Sequence, residues 1–278
     1  MFAFLSNYFA KKGIDCYAPI PLSSCKIVRP YLLERHGIGT SGTVIMVAVP
    51  YYTKACDHPN RNLSAYAVSR DYHGFYKELF DELIPALKSA FPTYRFAGFA
   101  DHSPIEETVA AAQAGLGVIG KNYLILTEKY SSYVFLGEII TDAELDCQAK
   151  ESVFCENCGA CKKACPMEAC GGCLSALTQK KGEFSEAEKT SVLKYQSVWG
   201  CDICQEVCPY TVRAKRRGTI YSPIPYFEKE TIPHLTLDIL ASMNELDFSK
   251  RAFSWRGINT IKRNLELFEA SKKGDFEC

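Results

Sequence analysis

The chain has 278 residues, 47% apolar and 23% charged, which is enough for one large core or two smaller ones. Lysine plus arginine equals aspartate plus glutamate at 32 each, so global charge gives no reason to expect nucleic acid, and any such contact rests on local patches. No apolar run reaches the roughly 18 residues that span a bilayer, and no membrane partner is expected. Met1–Ala10 is apolar, but Lys11–Lys12 follows it. That polarity is the reverse of an export signal, so an N-terminal helix and a cytoplasmic location are expected.

In chain order, Thr43–Tyr51 is a near-continuous, β-branched apolar run, as in a strand buried on both faces. From Leu63 to Ala90, the residues Tyr72, Phe75, Leu79, Leu83 and Leu87 recur at helical spacing, with Pro85 as a kink near the end. Tyr94–Ala100 and Tyr123–Thr127 read as short strands, and Tyr133–Ile140 as a further apolar run. Between Asp101 and Gly115, Ser103 is the expected N-cap, Pro104 the first helical residue, and Glu106 and Glu107 suit the positive helix end. Gly115 then falls just past the C-terminus. Asp101 thus lies at the mouth of a helix, directly after a strand. The alternation makes residues 1–150 an α/β domain.

Gly115-Leu-Gly117-Val-Ile-Gly120-Lys121-Asn122 matches G-x-G-x-x-G. A dinucleotide fingerprint needs a strand before those glycines and a helix after them; here the order is reversed. The stretch reads as a tight helix-to-strand turn whose backbone another group could approach closely.

With no export signal, the 14 cysteines are expected to serve metal rather than disulfides. Cys155, Cys158, Cys161 and Cys165, followed by Pro166, give C-x2-C-x2-C-x3-C-P, the bacterial ferredoxin spacing. In it three thiolates hold one [4Fe–4S] cubane and the fourth reaches another. C-x2-C pairs also suit zinc, but the third cysteine and the Cys-Pro ending do not. Cys201, Cys204 and Cys208, followed by Pro209, form a second group. The two groups supply seven thiolates for two cubanes, and the eighth is Cys170 or Cys173. Beyond them the chain turns basic, at Arg213, Lys215, Arg216 and Arg217 and again over Lys250–Arg263, where Phe253 and Trp255 are interleaved. Both stretches suit either a solvated face or a phosphate backbone.

Together these features resemble the epoxyqueuosine reductase family, the cobalamin-dependent iron–sulfur enzymes of tRNA queuosine biosynthesis. The resemblance is carried by Arg70–His73, Asp101–Pro104, Ala114–Asn122, Phe135–Asp142, the first cysteine group, Cys173–Gln179 and Trp199–Pro209, and more weakly by Phe253–Gly257 and Arg263–Asn264. It implies an α/β cobalamin-binding domain over residues 1–150, a two-cluster ferredoxin-like domain over 151–212, and a short, basic, largely helical C-terminal segment over 213–278. It also implies that cobalt acts as nucleophile on the epoxide and that Asp101 is the proton donor as the oxygen leaves as water. Gly117, Gly120, Lys121 and Asn122 would line the corrin pocket, and Ser175, Thr178 and Lys180 would contact it from the cluster side.

The same resemblance selects Cys173 as eighth ligand. Cys155, Cys158, Cys161 and Cys208 then hold one cluster, and Cys165, Cys173, Cys201 and Cys204 the other. His73 and His102 read as packed or solvated rather than as cobalt ligands. The implied partners are tRNA and an electron donor such as flavodoxin or ferredoxin. Members of the family continue into helical repeats that help grip tRNA, whereas this sequence ends at Cys278 and reads as a short form. The connection from Cys165 to Cys173 is also shortened. Two other readings compete: a cobalamin-dependent reductase of a small molecule (dehalogenase-like or corrinoid-reactivating), and a non-enzymatic two-cluster electron-transfer protein.

Overall fold

A computed structural model describes residues 1–168 and 171–272. These divide into two compact units, each assembled from three stretches of chain. The first comprises Met1–Tyr51, Tyr72–Cys158 and Pro209–Ile224. The second comprises Tyr52–Asp71, Gly159–Cys208 and the chain from Pro225 onward. The sequence segments 1–150, 151–212 and 213–278 therefore cut across both.

The first unit is built on a four-stranded sheet, antiparallel throughout, of β1 (Tyr17–Pro21), β2 (Thr43–Pro50), β3 (Phe96–Phe99) and the later strand Val134–Thr141, in the order β1, β2, Val134–Thr141, β3. The dinucleotide fold's parallel sheet is absent from this order, as the reversed glycine motif suggests. A separate ribbon pairs β4 (Val118–Ile119) with β5 (Ile125–Leu126), which makes Val134–Thr141 strand β6. β2 is buried along its whole length because it is central and covered on both faces. Val44, Met46 and Ala48 join Ala110, Ala111 and Ala112 of the helix Glu107–Gln113 in one core cluster. Strand alternation turns Ile45, Val47 and Val49 to the opposite face.

That opposite face receives the helix Tyr72–Ala90, which packs on β3 and buries Phe75, Tyr76, Leu79, Leu83 and Leu87. Pro85 is accommodated inside it. A β-carbon at Gly137 would lie 2.4 Å from the Tyr76 ring, which is itself buried with its hydroxyl on the Phe135 carbonyl at 3.0 Å. Gly137→Ala should therefore cost about 1–3 kcal/mol of stability by overpacking, read as a lower thermal midpoint. An unchanged midpoint would mean that the ring can move aside.

The helical pattern expected over Leu63–Ala90 is two elements. A short helix Ala65–Val68 stops at Ser69, and the long helix starts at Tyr72. Residues 69–71 leave helical pairing because Arg70 bridges to Arg251 and the Asp71 amide donates to the Lys250 carbonyl at 2.8 Å.

The second unit is helical. Leu174, Leu177, Phe184, Val192 and Leu267 form a core cluster drawn from the helices Leu174–Thr178, Glu186–Lys194 and Ile258–Lys272. Buried Asn264 donates to the Thr178 and Val198 carbonyls, both at 2.8 Å, and so ties the last helix to the cysteine-bearing segments. No helix among the described residues is long and apolar enough to cross a membrane.

Candidate functional site

Directly after β3 the chain turns sharply at Asp101, which has a left-handed φ of 65° without being glycine. The His102 amide donates back to the Ala100 carbonyl at 2.8 Å and closes the turn. The Asp101 carboxyl is exposed and lies 3.6 Å from His73 Nε2. His102 Nε2 is 2.9 Å from the Tyr31 hydroxyl.

Ser103 is not the helix N-cap, and Pro104 is not the first helical residue. The helix starts at Glu107, with Glu106 as its N-cap residue. Tertiary pairing overrides the local signal. The amides of Val28 and Arg29 both donate to the Pro104 carbonyl, Ile105 bridges to Ile27, and the Glu106 amide donates to the Lys26 carbonyl. Ser103 is instead buried, accepting from the Ile105 amide and donating to Glu138 on β6. The C-terminal expectation does hold. Gly115 has φ +84°, its amide reaches the Ala112 carbonyl and the Leu116 amide the Ala111 carbonyl, a Schellman ending.

The glycine stretch runs into the β4–β5 ribbon, and its glycines are needed by the ribbon itself. A β-carbon at Gly117 would meet the Leu126 carbonyl oxygen at 2.4 Å, and one at Gly120 would meet Asn122 Oδ1 at 2.3 Å. Gly117 also borders a cleft of about 550 Å³ together with Gly115, Lys150, Tyr210 and Arg213. Ile119 forms a parallel bridge with Phe154: its amide donates to the Val153 carbonyl at 2.8 Å and its carbonyl accepts from the Cys155 amide at 2.9 Å. Lys121 Nζ donates to Asn157 Oδ1 at 2.7 Å. The sequence did not signal this link between the glycine ribbon and the first cysteine loop.

In the second unit, Cys161 lies in the helix Ala160–Ala164 and Cys165 follows its end. This helix packs against Ile203–Glu206, which carries Cys204. Burial pushes the Cys201 thiol up to about 12, with its neighbours Asp202, Cys204 and Cys173 pushing the same way and the Ile203 amide opposing them. Cys173, Cys201 and Cys204 are thus near one another, as ligands of one cluster require. No group of three or more His, Cys, Asp or Glu among the described residues is arranged to hold a single metal ion. A cubane binds each thiolate through a different iron, so its ligands need not converge on one point. The thiolate donor set suits [4Fe–4S] clusters. Cys170 lies outside the described residues.

Asp202, between two of these cysteines, is buried and fully engaged. It accepts from Ser64 Oγ, from the Ala65 amide at 2.7 Å and from Arg61 at 2.6 Å. Thr178 is also fully buried; its hydroxyl donates to the Ser175 carbonyl and accepts from the Gly200 amide, both at 2.9 Å, just before Cys201. Ser175 Oγ accepts from Gln179 at 3.1 Å. Exposed Lys180 pairs with Glu188 at 2.8 Å.

The basic stretches divide similarly. Arg251 is buried on the Glu230 carbonyl, and Arg263 donates to the Lys180 and Gly182 carbonyls while lying 3.7 Å over the Phe184 ring. Arg256 stacks 3.8 Å over the exposed Trp255 ring. On the helix Pro209–Arg217, Arg217 reaches Glu128 at 3.4 Å.

Curated epoxyqueuosine reductases match most of this chain. The protein of Gloeobacter violaceus is 32% identical over 235 residues, covering 80% of this chain and 71% of its own. That of Synechocystis is 31% identical over 241 residues, covering 82% and 81%. This chain belongs to the epoxyqueuosine reductase family. The family model "Epoxyqueuosine reductase QueG, DUF1730" matches residues 38–102, from just before β2 to the Asp101 turn. Among solved structures, the epoxyqueuosine reductase of Streptococcus thermophilus aligns with a TM-score of 0.78 at 24% identity, covering 98% of this chain and 81% of its own. An epoxyqueuosine reductase solved with an epoxyqueuosine-modified tRNA stem loop aligns at 0.77 and 24%, covering 97% and 80%. These structures support the mixed α/β fold.

Proposed function

We propose that this protein reduces epoxyqueuosine to queuosine in tRNA. The identity shared with curated reductases across four-fifths of the chain carries this reading. Opening an epoxide to an alkene with loss of its oxygen as water takes two electrons and two protons. Cobalamin, when bound, supplies the nucleophilic metal, and two [4Fe–4S] clusters supply its electrons from a flavodoxin or ferredoxin. Residues 1–150 are assigned to cobalamin, 151–212 to the clusters and 213–278 to the basic segment.

By the ferredoxin spacing and the family resemblance, Cys155, Cys158, Cys161 and Cys208 hold one cluster, and Cys165, Cys173, Cys201 and Cys204 the other. Asp101 gives a proton to the departing oxygen, and its exposed carboxyl is open to a substrate. Gly117, Gly120, Lys121 and Asn122 are assigned to the corrin surface with Ser175 and Lys180. Thr178, with its hydroxyl engaged inside the unit, contributes by fixing Gly200 beside Cys201.

Iron-reconstituted, cobalamin-loaded protein kept under a low-potential reductant should convert an epoxyqueuosine-containing tRNA stem loop to the queuosine form. Replacing Arg216, Arg217 and Arg256 together by Glu should weaken tRNA binding at least tenfold and flatten its salt dependence. A corrinoid-bound protein that leaves the modified stem loop unchanged would refute the substrate assignment.

A further inference from the structure

On β6, Glu138 pairs with Met46 of β2 and Phe99 of β3, which puts its side chain on the sheet face covered by the helix Glu107–Gln113. It is a fully buried carboxyl in a strand that otherwise reads Val-Phe-Leu-Gly-Glu-Ile-Ile-Thr. One oxygen takes the Ser103 hydroxyl. The other, Glu138 Oε2, is buried with no amide, hydroxyl or cation donating to it, and the same holds for Glu107 Oε1. The two carboxyls interact with each other, and the Asp101 backbone amide lies close enough to Glu107 to favour its carboxylate.

Two buried carboxyl oxygens in contact repel unless a proton lies between them. We propose that Glu107 and Glu138 hold a single proton as a pair, and that Glu107, anchored this way, positions Asp101 through its contact with the Asp101 backbone. The inference rests on Asp101 being the proton donor of the reaction.

Aspartate tolerates a left-handed φ better than most residues, but the conformation is still held by neighbours that enforce it. The Glu107 carboxyl acts on one side of the turn. On the other, Arg29 donates to the Ser103 carbonyl at 2.8 Å. With one proton the pair carries a single negative charge; without it, two negative charges are buried beneath the turn.

The electrostatics agree. Burial pushes Glu107 up to about 7; the Asp101 charge adds to this, while the Asp101 amide, the contact with Glu138 and Arg29 oppose it. Burial and then the Glu107 charge push Glu138 well above the ordinary carboxylate range, against the Ser103 hydrogen bond. The other titratable groups that sense the pair are the Cys25 thiol, whose value is raised partly by Glu138, and Tyr76 across the sheet, raised partly by both glutamates. Both carboxyls titrate higher folded than unfolded, so the folded protein binds the extra proton. Glu107's contribution to stability is intact below about pH 4.5 and is lost as pH rises through about 7.

The test uses the full, cluster-loaded chain. Infrared spectra near pH 6 should show the carbonyl stretch of a protonated carboxyl, absent in Glu138→Gln, whose amide takes the place of the protonated partner. Between about pH 5 and 8 the wild-type midpoint of unfolding should fall more than that of Glu138→Gln. Glu107→Leu should lose about a hundredfold in turnover through misplacement of Asp101, and Glu107→Gln, which keeps an oxygen for the Asp101 amide, should recover most of it. A wild-type spectrum without the band, or wild-type turnover in Glu107→Leu, would overturn the proposal. Glu138→Gln reads the proton even if Glu107→Leu fails to fold. The proton-donor role itself is decided separately by substitution of Asp101.

Discussion

Asp101→Asn is expected to bind corrinoid and both clusters as the wild type does, yet to reduce epoxyqueuosine about a hundred- to ten-thousand-fold more slowly. The asparagine can occupy the same exposed position and keep the backbone amide that favours the Glu107 carboxylate. It has no proton to give to an oxygen leaving as water. Asparagine also tolerates a left-handed φ of 65°, so the fold should be undisturbed. Single-turnover rates, with iron content and corrinoid absorbance measured on the same sample, separate chemistry from assembly. Full turnover by the variant would remove Asp101 from the mechanism.

The second large effect concerns the eighth cluster ligand. Cys173→Ala should leave about four iron atoms per chain in place of about eight, and Cys170→Ala should leave all of them. Cys173 shares an electrostatic neighbourhood with Cys201 and Cys204. It also stands as the N-cap of the helix Leu174–Thr178, whose last residue reaches across to Gly200. The same backbone therefore orders Cys173 and Cys201 together. Iron analysis with EPR of the reduced variants gives the answer, and the opposite pattern would transfer the ligand role to Cys170.

The fold was legible where burial leaves an unbroken trace. β2 and β6 are apolar runs because both are central in the sheet. β1 leaves no strand signal in the sequence because Tyr17-Ala-Pro-Ile-Pro21 carries two prolines, tolerable only since it is an edge strand. The Glu107–Gln113 helix starts three residues later than its local signal implies because Ser103 and Pro104 are good capping residues captured by long-range partners, Glu138 and Val28. Of the candidate site, the cysteines and Asp101 stand out in the sequence as motifs, and their proposed roles rest on those motifs. The Glu107–Glu138 pair was not, although a lone glutamate inside an apolar strand is a signal, since carboxylates are almost never buried unless paired. The basic run Lys250–Arg263 misled in part: Arg251 and Arg263 are fold-making residues bound to backbone carbonyls, and composition cannot distinguish these from exposed cations.

The Ile119 peptide unit donates to Val153 and accepts from Cys155, so the glycine ribbon and the first thiolate loop share one pair of hydrogen bonds. Neither can melt locally without releasing the other. On the proposed cluster assignment, loading iron onto that loop would deepen the opening free energy of the ribbon, and a ribbon opened by a bulky residue at Gly117 would weaken retention of iron three strands later in sequence. On the same proposed assignment, loading of that loop and formation of the glycine-lined surface are one cooperative event.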